Sequence, residues 1–129
     1  MYHYSYTDYV GRKIEEYCSK KLSLMPYAKA GVNIYVYGAN ARYLLVSYST
    51  PICEVFYIDG IGKFFVAGPV NISRTTIRHT IAFLKEYAPE VTYFQSKEMF
   101  KEISAQYGMN VETGELIEYN ELLKLYKTH

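Results

Sequence analysis

The stretch from Gly31 to Ala67 constrains this chain most, because its hydrophobic pattern repeats every two residues. In GVNIYVYG, Val32, Ile34 and Val36 fall on one side of an extended backbone, and Asn33, Tyr35 and Tyr37 on the other. RYLLVSYS and ICEVFYI are further runs rich in β-branched and aromatic residues. Asp59-Gly60 then supplies a hairpin turn into Ile61–Ala67. The period of two predicts an antiparallel meander of about four strands over residues 31–67.

The flanking sequence changes period. Thr7-Asp8 reads as a helix start, and Val10, Ile14, Tyr17, Cys18, Lys21 and Leu22 follow at helical spacing until Pro26. This predicts a helix over 7–25. ISRTTIRHTIAFLKEYAP predicts a helix over 73–88, closed by Pro89. SKEMFKEISAQYG predicts another over 96–107, with Ser96 as N-cap and Gly108 as C-cap. In residues 109–129, NVETGELIEY carries a Thr-Gly hairpin turn and ELLKLYK a short amphipathic helix. The expected fold is α+β: one domain over 1–129, an antiparallel sheet of about four strands with N-terminal and C-terminal helices packed against it. Tyr2, Tyr4 and Tyr6 alternate with His3, Ser5 and Thr7, a strand period. A Tyr2–Tyr6 strand would pair with the sheet's own edge, or with another subunit to make a homo-oligomer.

Composition narrows the classes. No apolar run reaches the roughly 18–20 residues that span a bilayer, and MYHYSYTDYV lacks a signal-peptide pattern, so no membrane partner is expected. Two cysteines, Cys18 and Cys53, are too few for a disulfide framework and read as buried thiols of a cytoplasmic protein. The net charge of +1 lacks the basic excess of a nucleic-acid protein, but it is unevenly spread. Residues 1–85 hold ten Lys/Arg against five Asp/Glu, whereas residues 86–129 hold four against eight. Sixteen tyrosines and no tryptophan give aromatic faces with polar tips, a composition suited to contact surfaces.

Catalytic machinery is not legible. There is no GxSxG, no Cys–His signature, no HxxxH or HExxH, and no Gly-rich phosphate loop, so no catalytic residue, metal or cofactor is assigned and an enzyme is not expected. What stands out is the start of the helix over 73–88. Helical spacing puts Ile77, Thr80, Ile81, Leu84 and Ala88 on its buried stripe, with Arg74, Arg78 and Lys85 along one flank and His79 away from the core. Arg74 and Arg78 lie at the positive end of the helix dipole, where cations are disfavoured. Ser73, Arg74, Thr75, Thr76, Arg78 and His79 are therefore the candidate anion- or partner-binding residues. The alternative is an internal clasp, with the arginines paired to Glu54, Asp59 or Asp8.

VSYSTPICEV (46–55) and ISRTTIRHTIAFL (72–84) together resemble a family of small phage-encoded proteins that share a domain of unknown function. The family's pattern is S-Y-x-T-P-[IV] followed by S-x-T-T-x-[RK]-H-x-x-x-F. Ser47, Tyr48, Thr50, Pro51 and Ile52 match its first part. Ser73, Thr75, Thr76, Arg78, His79 and Phe83 match the second. The resemblance implies phage origin and action in the cytoplasm of a bacterial host, and supplies no reaction. The leading expectation is a non-enzymatic binding protein, a stoichiometric inhibitor of a host protein or defence system, anti-CRISPR-like in acting on a nucleic-acid-guided nuclease. Its acidic C-terminal third would mimic phosphate charge in such a target. A second reading is nucleic-acid binding, with Tyr35, Tyr37, Tyr43 and Tyr57 as an aromatic contact surface and Arg42, Lys63, Arg74 and Arg78 on phosphates. A third is sequestration of a small anionic nucleotide at Ser73–Arg78.

Overall fold

Every strand of the sheet pairs antiparallel with its neighbour in sequence, in the spatial order β1 to β8. The computed structural model describes residues 5–7, 13–37, 40–67, 73–91 and 106–128. The strands are β1 (Ser5–Thr7), β2 (Lys13–Lys21), β3 (Ala30–Tyr37), β4 (Asn40–Ser47), β5 (Thr50–Ile58), β6 (Gly62–Ala67), β7 (Tyr107–Asn110) and β8 (Leu116–Glu118). Helix α1 (Arg74–Tyr87) lies between β6 and β7, and α2 (Tyr119–Thr128) follows β8.

The architecture corrects the expected one. Instead of about four strands flanked by N- and C-terminal helices, the sheet has seven strands plus the three-residue β1 at its edge. The helix expected over 7–25 is replaced by β1 and β2, which pair through Ser5↔Glu15, Tyr6↔Ile14 and Thr7↔Lys13. The reason is a bulge. The β2–β3 register slips between Glu16 and Cys18, which leaves Tyr17 as an extra residue. One inserted residue breaks the period of two, so apolar residues at 14, 17 and 18 fall at helical spacing within a strand. Residues 96–105 of the helix expected over 96–107 lie outside the described residues, as do Tyr2 and Tyr4 of the N-terminal aromatic strand. Gly108, expected to cap that helix, sits inside β7.

Register decides which residues share a face. Val32, Leu45, Cys53 and Ala67 align across β3–β6, as do Ile34, Tyr43, Val55, Phe65 and Met109 across β3–β7. These rows form one core with Ala82, Phe83, Leu84 and Ala88 of α1 and its C-terminal end. The opposite face carries Phe56, Ile58, Phe64 and Val66, buried by Leu122 and Tyr126 of α2. The described residues thus form a three-layer sandwich, with α1 on one face of the sheet and α2 on the other. Glu121 in the first turn of α2 suits the positive end of its dipole.

Under α2 lies a buried charge pair. Arg42 and Glu54 stand diagonally on the same face of β4 and β5 and form a salt bridge. The Arg42 guanidinium carbon lies 5.6 Å from the Phe56 ring centre and 5.7 Å from that of Tyr126. Cation–π attraction and the carboxylate together offset the desolvation of a cation that is almost fully buried. Burial, with the Glu54 carboxylate adding to it, raises the Tyr119 phenol above its ordinary pKa, and Arg42 opposes this.

Gly108 makes the seat of α2 possible. A Cβ there would lie 2.3 Å from Leu122 Cδ2 and 3.2 Å from Val66 Cγ1. Gly108→Ala is therefore expected to destabilise the fold by about 1–3 kcal/mol, through overpacking against the buried Leu122 and Val66 side chains. Urea unfolding checks this, and adding Leu122→Ala should make the Gly108→Ala penalty smaller than it is in the parent chain.

Candidate functional site

The two motif segments meet. Ser47 is the last residue of β4 and His79 lies in the second turn of α1. The Ser47 hydroxyl hydrogen-bonds His79 Nδ1 at 2.8 Å. Ser47 is 4% exposed and His79 2%. Burial lowers the His79 pKa from its ordinary 6.5, so the ring is neutral near pH 7. Buried together, the pair clamps α1 onto the end of the sheet.

Thr80, Leu84 and Ala88 of the expected stripe are buried, and the buried arc extends further round the helix than expected. The side of α1 that packs down carries Thr76, His79, Thr80, Ala82, Phe83 and Leu84, while Ile77 and Ile81 are half-buried. Polar groups tolerate this burial because each is satisfied locally. The Thr80 hydroxyl donates to the Thr76 carbonyl at 2.8 Å, and Thr76 pairs with Ser73 at 3.0 Å. Ser73 is the N-cap, its Oγ accepting from the Thr76 N–H at 3.0 Å.

The six candidate residues of this helix start therefore divide. Ser73, Arg74, Thr75 and Arg78 are exposed, whereas Thr76 and His79 are buried. Neither Arg74 nor Arg78 forms an ion pair with a described residue, and Glu54, one expected partner, is paired with Arg42. Asp8 lies outside the described residues. The expected arginine–carboxylate clasp is not formed among the described residues; Ser47 and His79 make a different contact that ties α1 to the sheet.

The four tyrosines expected on one surface do not share one. Tyr35 is buried on the α2 side of the sheet, with its hydroxyl 3.3 Å from Asn33 Nδ2. Tyr43 packs on the α1 side against Tyr87, with ring centres 4.7 Å apart. Tyr57 is exposed on that same side, 5.9 Å from the Lys63 ammonium. Tyr37 ends β3, and its side chain lies outside the described residues. Lys63 itself is mostly buried and pairs with Glu90. Tyr87 is pushed up to about 12, first by burial and then by Glu86 and its neighbours. Cys53 is buried and its thiol pKa raised by burial, while Cys18 is half-buried, and both are free thiols.

A different set of side chains is presented outward at the end of the sheet beside the clasp. Tyr48 and Ser49 form the two-residue turn between β4 and β5, with φ of 50° and 68°. Such turns favour Asn-Gly, because both central residues need positive φ. For a bulky residue this conformation is costly, on the order of 1 kcal/mol or more. The Tyr48 ring stacks on His79 at 6.1 Å between centres and remains 62% exposed. The neighbouring loop between β2 and β3 is tied to the turn by the Tyr48 N–H, which donates to the Lys29 carbonyl at 2.8 Å. From that loop Tyr27 projects with 97% exposure and Leu24 with 60%. Its other flank is fixed by Ser23, whose N–H and hydroxyl both bond the Glu86 carboxylate.

Sequence reasoning missed this tip. The available signal was a Tyr-Ser pair where a tight turn needs Asn-Gly, and Leu24 and Tyr27 among the apolar residues of the loop LSLMPYAK. Elsewhere, an open depression of ≈340 Å³ beside the start of α2 is lined by Gln106, Tyr107, Glu118, Tyr119 and Asn120. Among the described residues no group of three His, Cys, Asp or Glu side chains could hold a metal ion, and no helix is long and apolar enough to cross a membrane.

These features define a three-layer α/β/α protein on an open antiparallel meander, with an aromatic tip clamped to its helix. The model of a family of unknown function, DUF8033, matches residues 12–102, and the chain belongs to that family. No curated protein and no solved structure matches it. The match takes in both clasp segments and the tip, and stops before β7, β8 and α2.

Because folding depresses the His79 pKa, the unfolded chain takes up a proton that the native state resists. Stability from this group is whole above about pH 6.5 and falls as the pH drops below that value. Replacing the clasp by His79→Gln is expected to flatten the pH dependence of urea unfolding across that window. Ser47→Ala, which leaves a buried ring nitrogen without its partner, should cost about 1–3 kcal/mol at pH 7.5.

Proposed function

We propose that this protein is a non-enzymatic binding protein that acts stoichiometrically on a host protein, using Leu24, Tyr27 and Tyr48 as its contact surface. One observation carries the reading. The chain holds a tyrosine in a left-handed turn where Asn or Gly would sit at lower energy, and spends that strain on an exposed ring. Rigid aromatic side chains with few rotatable bonds are efficient contact residues, and here Tyr48 is held in place by His79 beneath it. The motif resemblance is what supports phage origin and cytoplasmic action; a defence factor as the class of target is inferred from that context. The nucleic-acid reading is less well served, since Tyr35 and Arg42, which it needs at a surface, are buried.

Tyr48→Asn with Ser49→Gly replaces the strained turn by one suited to its backbone. The variant is expected to be as stable as the parent, or more stable by up to about 1 kcal/mol, in thermal unfolding. In affinity capture from bacterial lysate it should lose a partner that the parent retains at near-equimolar ratio. Equal capture by both proteins would overturn the proposal, as would capture that nuclease treatment abolishes.

A further inference from the structure

We infer that the partner of this tip is an acidic protein surface. This rests on the binding reading above and assigns the partner's chemistry. From Tyr17 to Cys53 the chain contains no Asp or Glu, while it carries Lys20, Lys21, Lys29 and Arg42. Arg42 is consumed by Glu54 beneath α2. The three lysines are exposed, and among the described residues none of them forms an ion pair.

Topology gathers these charges around the tip. Lys20 and Lys21 end β2, where the loop bearing Leu24 and Tyr27 begins, and Lys29 ends that loop. The Lys29 carbonyl is the group that holds the Tyr48 turn. Among the described residues the carboxylate bonded to this loop is Glu86, which already accepts two hydrogen bonds from Ser23. The result is an apolar centre of Leu24, Tyr27 and Tyr48 among uncompensated cations, which attracts a negatively charged counterpart and repels a basic one. Leu24 favours protein over nucleic acid, because an aliphatic side chain fills an apolar pocket but gives a base no stacking platform.

The test uses the full chain with two probes at equal charge: a fluorescein-labelled peptide of alternating Glu and Leu, and an oligo-dT strand. Anisotropy at low ionic strength should show peptide binding that weakens as salt rises to physiological levels. Lys20→Glu/Lys21→Glu/Lys29→Glu should weaken it at least about tenfold, and the corresponding Gln variants by less. Failure of the peptide to bind, insensitivity to the charge reversals, or tighter binding of oligo-dT would overturn the inference. So would concentration-dependent self-association in sedimentation through the exposed Glu112, Glu115 and Glu118 of a second copy. The lysate capture separates the two proposals. If the lysine variant keeps the parent's partner while Tyr48→Asn/Ser49→Gly loses it, the tip binds but the acidic partner is wrong. If both variants keep it, both proposals fall.

Discussion

Each strand finds its hydrogen-bonding partner in the strand next to it along the chain, and the rest of the molecule depends on that constraint. In such a meander the order in sequence becomes the order in space. A sheet of this kind has two apolar faces and two edges, and both faces need cover. The inserted helix α1 covers one and the terminal helix α2 the other. The same constraint turns an uneven charge distribution into a spatial one. The lysines gather near β2 and β3, and the glutamates of residues 112–121 near β7, β8 and α2.

The α2 face shows what a buried charge requires. Arg42 sits within a sheet face whose neighbours are Tyr35 and Phe56, and Glu54 and the two aromatic faces against it offset the desolvation that the covering helix imposes. Tyr126 serves both as the lid and as one of the rings. Arg42, Glu54 and Phe56 lie within the stretch matched by the family model, whereas β7, β8 and the covering helix α2 lie beyond it.

The α1 face shows the opposite exchange. There the chain buries a neutral histidine and two threonines beside two half-buried isoleucines; Thr80 and Thr76 find partners within the helix and its cap, and His79 finds Ser47. The gain is positional. Ser47 fixes the end of β4, His79 supports the Tyr48 ring, and the strained turn presents that ring to solvent beside Tyr27 and Leu24. Strain held by a buried clasp and displayed at a surface is a pattern of functional sites.

The sequence by itself determined the meander over residues 31–67, the Asp59-Gly60 turn, the capped helix after Ser73 and the terminal hairpin and helix, because each rests on local periodicity or turn chemistry. It did not disclose β2, since a single bulge residue changed the apparent period from two to that of a helix. It marked Ser47, Tyr48 and His79 as motif positions but gave them no contact with one another. Only tertiary structure decided that His79 faces inward, that Arg42 is structural, and that Leu24, Tyr27 and Tyr48 are brought to one end of the sheet. The physical reason is that burial of a polar side chain depends on whether a partner waits at the other end of a long loop, and no local pattern carries that information.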